Sequence, residues 1–131
     1  MLSRRGIDSF AIGLATLPLL AAVLLWPELP AEMAVHWSGG QPDSYIAKPV
    51  ATVGLYGLAV GSVVFVRLAP DSFTSTPGGE DLTVLFLGVI FAGVQGLVLA
   101  WNLGFRFSVE LAVVPILVLT GLLLAVAYWL G

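Results

Sequence analysis

His36 is the chain's sole imidazole. The segment around it, Trp26-Pro-Glu-Leu-Pro-Ala-Glu-Met-Ala-Val-His-Trp-Ser-Gly-Gly-Gln-Pro-Asp-Ser-Tyr-Ile-Ala-Lys48, also holds Glu28, Glu32 and Asp43. An imidazole near carboxylates can ligate a metal, hold a hydrogen bond, or change charge near its ordinary pKa of about 6.5. Zinc favours closed sets of several His or Cys ligands. With one histidine and no cysteine, no metal and no cofactor is expected. A hydrogen bond within the segment, with Asp43 as partner, is the expectation for His36, and protonation would then make the segment pH-sensitive. Asp43 and Lys48 admit two readings, a surface ion pair worth under about 1 kcal/mol or a turn cap and a helix anchor. No Gly-x-Ser-x-Gly, His-Glu-x-x-His or paired-carboxylate motif occurs, so nucleophilic, metal-assisted and acid–base catalysis lack their groups. The chain is not expected to be an enzyme; a membrane-embedded enzyme is the remotest alternative.

The rest of the chain reads as membrane spans flanking that segment. Its thirteen charged residues cluster at 4–8, 28–48, 67–81 and 106–110, leaving uncharged runs at 9–27, 49–66, 82–105 and 111–131. About 20 apolar residues cross the hydrocarbon core of a bilayer, and a charge at mid-span costs roughly 3 kcal/mol. Hydrophobic residues make up 59% and charged ones 10%. The expected architecture is all-α: a polytopic integral membrane four-helix bundle, one domain over 1–131, with a structured Pro/Gly/aromatic loop at 27–48 joining spans one and two. The net charge of −3 without a basic run argues against nucleic acid as a partner. Arg4, Arg5 and a following apolar stretch resemble a secretory signal, but the run is long and Glu32 interrupts the small-residue site, so an uncleaved first span is expected. Arg4, Arg5 and Arg67 outnumber Lys48 and Arg106, which places both termini in the cytoplasm and the 27–48 loop outside. The expected location is the plasma membrane.

Helices in lipid associate through close approach of small residues. Gly88, Ala92, Gly96, Ala100 and Gly104 recur every fourth position in span three, and Gly57 and Gly61, with Gly54 a turn earlier, do so in span two. Tight packing of spans two and three through these faces is expected, with homodimerisation as the alternative use. Gln95 and Asn102, the largest polar groups in the runs, are expected to be interhelical hydrogen-bond partners worth about 1 kcal/mol each. The second run is the shortest, with Lys48 and Arg67 snorkelling at its ends and Pro49 in its first turn. The loop 67–81, with Pro70, Pro77, Gly78 and Gly79, is expected to be flexible and acidic. Arg106 and Glu110 are the residues of the last loop placed to meet the first.

In the 27–48 loop, Pro27 and Pro30 stop the first helix. Gly39-Gly40-Gln41-Pro42-Asp43 signals a turn with positive φ at glycine. Trp37 and Tyr45 flank it and lie against the membrane surface or each other. Leu29-Pro30, His36-Trp37 and Gly40-x-Pro42-Asp43-x-Tyr45-x-x-Lys48 together resemble the membrane domain at the front of SdpI-type bacteriocin immunity proteins. The resemblance covers roughly the first half of the chain. Departures are Ala34 where proline is usual, Ser38 where asparagine is usual, and a turn one residue shorter before Gly40. The further spans of full-length immunity proteins are lacking. The resemblance implies a non-enzymatic, ligand-responsive membrane protein that recognises a peptide or holds a cytoplasmic regulator. It implies Pro30, His36, Trp37, Gly40, Pro42, Asp43, Tyr45 and Lys48 as the motif, with Glu28 beside them. A small transporter or channel is the alternative; without a carboxylate in any span it has no proton carrier, and Gln95 could select a solute but not couple protons.

Overall fold

Each uncharged run forms a helix, but helix boundaries follow capping chemistry rather than the limits of the apolar stretch. The computed structural model describes residues 3–68 and 79–130 (side chains 127 and 130 excepted), and shows α1 (Arg4–Leu24), a 3-10 turn (Trp26–Glu28), β1 (Glu32–Ser38), β2 (Gln41–Ala47), α2 (Lys48–Leu68), α3 (Gly79–Asn102) and α4 (Val109–Leu130). The expected loop residues Pro70, Pro77 and Gly78 lie outside the described residues. Helix α1 starts before its apolar run because the Ser3 side chain accepts the Gly6 N–H at 3.0 Å, an N-cap. Helix α3 starts early with Glu80 and Asp81 in its first turn, where the helix dipole favours acids. Its end comes at Asn102, since Gly104 takes φ +108°. The N–H of Gly104 then bonds the Trp101 carbonyl at 3.0 Å and that of Phe105 the Ala100 carbonyl at 3.2 Å, a Schellman closure. Helix α2 is not short: its 21 residues reach about 31 Å.

All four helices are long and apolar enough to cross a bilayer, with mean hydropathy between 1.9 and 2.5. Leu17, Val53, Leu58, Phe65, Leu117 and Leu122 are exposed, which suits lipid as solvent. Helix α3 is the hub, with α1, α2 and α4 each packed on it. One core cluster joins Ile7, Ala11, Val63, Val66, Val84 and Leu85. The other joins Ala22, Leu29, Met33, Ala51 and Val98, so the connection after α1 is part of the core.

The expected glycine contact between spans two and three does not form. Gly57 and Gly61 meet nothing within 4 Å, and α2 approaches α3 instead through Val63, Val66 and Ala51. The close approach is between α1 and α3. A Cβ on Gly88 would stand 2.7 Å from both Cα and Cβ of Ala11. Gly93 receives Ile116 of α4 in the same way. Gly54 and Gly96 face open space, Ala92 and Ala100 are half-buried, and Gly104 has left the helix. A four-residue spacing marks a smooth helix face but not which neighbour uses it. Gln95 does act as interhelical glue: its side chain is buried and Nε2 donates to the Ala15 and Phe91 carbonyls at 3.2 Å each. Pro18 lies three residues on in α1 and withholds the N–H that Leu14 would otherwise accept.

At the end opposite the β-strands, two charge clusters merge. The Arg67 side chain is 12% exposed and reaches Asp8 at 2.7 Å, Asp81 at 2.8 Å and Glu80 at 3.3 Å. Glu80 also takes Arg4 at 2.8 Å. A nearly enclosed guanidinium needs such partners, and these tie the ends of α1, α2 and α3 together.

Gly88→Ala should lower the thermal midpoint in detergent, at a cost of roughly 1–3 kcal/mol for forcing the α1 backbone away. Gly57→Ala should leave it unchanged or slightly raised, because the new methyl meets nothing.

Candidate functional site

The structured loop expected at 27–48 takes the form of a β-hairpin. Gly39 and Gly40 sit at φ +58° and +80°, the two positive values of a type I′ turn that matches strand twist. Ser38 faces Gln41, Trp37 faces Pro42, His36 faces Ser44, Ala34 faces Tyr45 and Glu32 faces Ala47. The register shifts around His36, leaving Val35 and Asp43 without direct partners. Such shifts re-aim side chains, and here His36 Nδ1 lies 2.7 Å from Asp43 Oδ1. Periodicity gave no signal for these strands because the segment does not alternate cleanly and a proline lies within β2.

Three contacts seat the hairpin on the bundle. The first is Asn102, whose Oδ1 accepts the Ala34 N–H at 2.8 Å while Nδ2 donates to the Ala34 carbonyl at 2.9 Å and the Val98 carbonyl at 2.7 Å. The side-chain amide stands in for a neighbouring strand. The pairing requires a residue other than proline at 34, since a proline has no N–H to give. Asn102 was expected to bond another helix; being at the last residue of α3, it bonds the strand lying over that end. The second is Lys48, whose Nζ donates to the carbonyls of Trp26 and Leu29 at 3.0 and 3.1 Å and lies 4.9 Å from the Trp26 ring centroid. Lys48 therefore satisfies carbonyls of the 3-10 turn and of Leu29 just after it, and forms no ion pair with Asp43. The third is apolar: Met33 is fully buried, and Trp37 meets Trp101 edge to face at 5.7 Å, not Tyr45. The Trp37 indole N–H is enclosed without an acceptor among the described residues, so the ring and not its polar atom is the anchor.

Trp101 links the hairpin to the last connection. Phe107 packs on it edge to face at 5.6 Å. Arg106 lies over its ring at 4.7 Å and donates to its carbonyl at 2.7 Å. Between these elements opens a cleft of about 390 Å³, lined by Glu28, Pro30 and Glu32 from the segment after α1, Tyr45 from β2, and Trp101 and Arg106 from the end of α3 and the connection after it. Glu110 stays apart, hydrogen-bonded by Ser108 at 3.2 Å. Of the motif, then, His36 and Asp43 meet each other, Pro30 and Tyr45 line the cleft, Gly40 forms the turn, and Trp37, Pro42 and Lys48 build the support. Met33, Trp101 and Asn102 are the supporting residues that the motif alone does not disclose. Only the position of Asn102 beside Arg106, at the same end as the hairpin, hinted at a shared site. No group of three or more His, Asp or Glu among the described residues is placed to hold a metal ion.

Hydrogen bonds from His36 first, and then Ser38, hold the Asp43 carboxyl below its ordinary value of 3.8. A depressed folded value means the contact stabilises fully above the unfolded value and loses its contribution as pH falls through the folded one. Exchange protection of the β2 amides should hold down to about pH 4 and then decline. Asp43→Asn should remove that acid-dependent step. Asn102→Ala should cost roughly 1–3 kcal/mol of thermal stability by stranding both Ala34 backbone groups; an unchanged midpoint would show that water replaces the amide.

A family model described as a domain of unknown function (DUF1648) matches residues 13–60. No curated protein and no solved structure matches the chain. The matched stretch takes in most of α1, the whole hairpin and the first half of α2, so it is over the hairpin and the two helices that carry it that the chain is similar to that domain.

Proposed function

We propose that this chain is a non-enzymatic receptor of the plasma membrane, similar to SdpI-type immunity proteins, that recognises a peptide through its hairpin on the outer side. The observation that carries this is the presentation of β2. Its residues Asp43, Ser44, Tyr45 and Ile46 are exposed, and among the described residues β1 is its only partner strand. An exposed strand edge offers backbone donors and acceptors to an added strand, with alternate side chains supplying specificity. The contacts of Asn102, Lys48 and Trp37 hold that edge in place beforehand, which reduces the ordering cost of binding. Arg4 and Arg5 at the opposite end support a cytoplasmic placement of the termini, where the Arg67 cluster faces any regulator protein. Gln95, the group on which solute transport would rely, has its amide N–H committed to the Ala15 and Phe91 carbonyls, which favours recognition over transport.

The test is affinity purification from native membranes, comparing wild type with His36→Ala/Tyr45→Ala, chosen because both side chains are exposed and neither seats the hairpin. A peptide retained by wild type and reduced tenfold or more in an equally stable variant is the expected result, corresponding to at least about 1.4 kcal/mol. Equal retention by both proteins would rule out recognition by this hairpin face.

A further inference from the structure

The cleft beside the hairpin carries opposite charges on its two walls, and its acids are unclaimed. Asp8, Glu80 and Asp81 are engaged by Arg67, Asp43 by His36 and Glu110 by Ser108. The carboxylates of Glu28 and Glu32, by contrast, have no hydrogen bond or ion pair among the described residues. Across the cleft Arg106 spends Nη1 on the carbonyls of Trp101 and Phe105, and a guanidinium has further N–H donors to offer an anion. A purely cationic ligand would face Arg106, and a purely anionic one would face two glutamates. A ligand bearing an ammonium and a phosphate a few ångströms apart satisfies both walls.

The position of the cleft selects among such ligands. One wall is the turn that ends α1 and the other is the last turn of α3, so the cleft sits where helices leave the hydrocarbon and headgroups begin. Trp26 and Trp101 mark the same level, as interfacial aromatics do. Leu24, immediately before the turn, is 80% exposed and offers acyl chains an apolar surface. We propose that this cleft binds the aminophosphodiester headgroup of a membrane phospholipid, its primary ammonium on Glu28 and Glu32 and its phosphate on Arg106. The inference does not depend on the hairpin binding a peptide.

Phosphatidylethanolamine, phosphatidylcholine and phosphatidylglycerol, offered in equal amounts to the detergent-purified protein, provide the test, with retained lipid counted by native mass spectrometry. The ethanolamine lipid should be retained about tenfold over the other two, the scale of one hydrogen bond to a charged group. Choline has no N–H for the glutamates, and glycerol no positive charge. Glu28→Gln/Glu32→Gln should abolish the preference without moving the thermal midpoint, because these carboxylates hold nothing else. Soluble glycerophosphoethanolamine should compete in the wild type. Equal retention of the three lipids, a preference that survives in the double variant, or one that resists the soluble headgroup would each overturn the proposal. So would a lysine-rich peptide bound through Glu28 and Glu32 by a protein without lipid preference, which would make the cleft an acidic peptide site.

Discussion

A strand laid across the end of a membrane bundle brings backbone donors and acceptors to a place where water is scarce, and each needs a partner. Asn102 provides both for Ala34 with a single side chain. It stands on the last turn of α3, the helix on which the others pack, so the hairpin takes its position from the most constrained element of the fold. Met33 can then sink into the core beside Ala22, Ala51 and Val98. Trp37 reaches Trp101, and Trp101 in turn supports Phe107 and Arg106. The cleft is what remains between parts whose positions are set by this chain of contacts.

The two ends of the bundle use charge differently. At one end Arg67 is almost enclosed and saturated by three carboxylates, an arrangement that joins helices but leaves little for a ligand. At the hairpin end Lys48 is spent on the carbonyls of Trp26 and Leu29, while the exposed Arg106 gives Nη1 to the Trp101 carbonyl and keeps other donors free. Their natural counter-ions, Glu28 and Glu32, are left facing the cleft.

Legibility followed the physics of each feature. The spans were readable because a bilayer penalises charge wherever it enters, whatever the tertiary arrangement. The Gly39-Gly40 turn and the His36–Asp43 contact were readable because they are local, separated by few residues and dictated by turn geometry. The strands flanking that turn were not, because their alternation is broken by register shifts and by Pro42. The glycine faces misled for a related reason. Gly57 and Gly61 have the same spacing as Gly88, but spacing describes one helix, whereas the contact of Gly88 with Ala11 depends on how two helices cross.

By itself, the order of residues determined that four apolar helices form, that Pro27 and Pro30 follow the end of the first, and that an imidazole and a carboxylate share one turn. Those outcomes rest on hydration cost and on φ/ψ limits acting over a few neighbouring residues. Only the tertiary structure decided that Asn102 pairs with Ala34, that Lys48 bonds the Trp26 and Leu29 carbonyls instead of meeting Asp43, and that Arg67 gathers Asp8, Glu80 and Asp81. Each of those contacts joins residues far apart in the chain, and each side chain had several partners of suitable chemistry within the sequence. Which one it meets is settled by the packing of α1 and α2 against α3, a property of the assembled bundle that no short stretch of sequence contains.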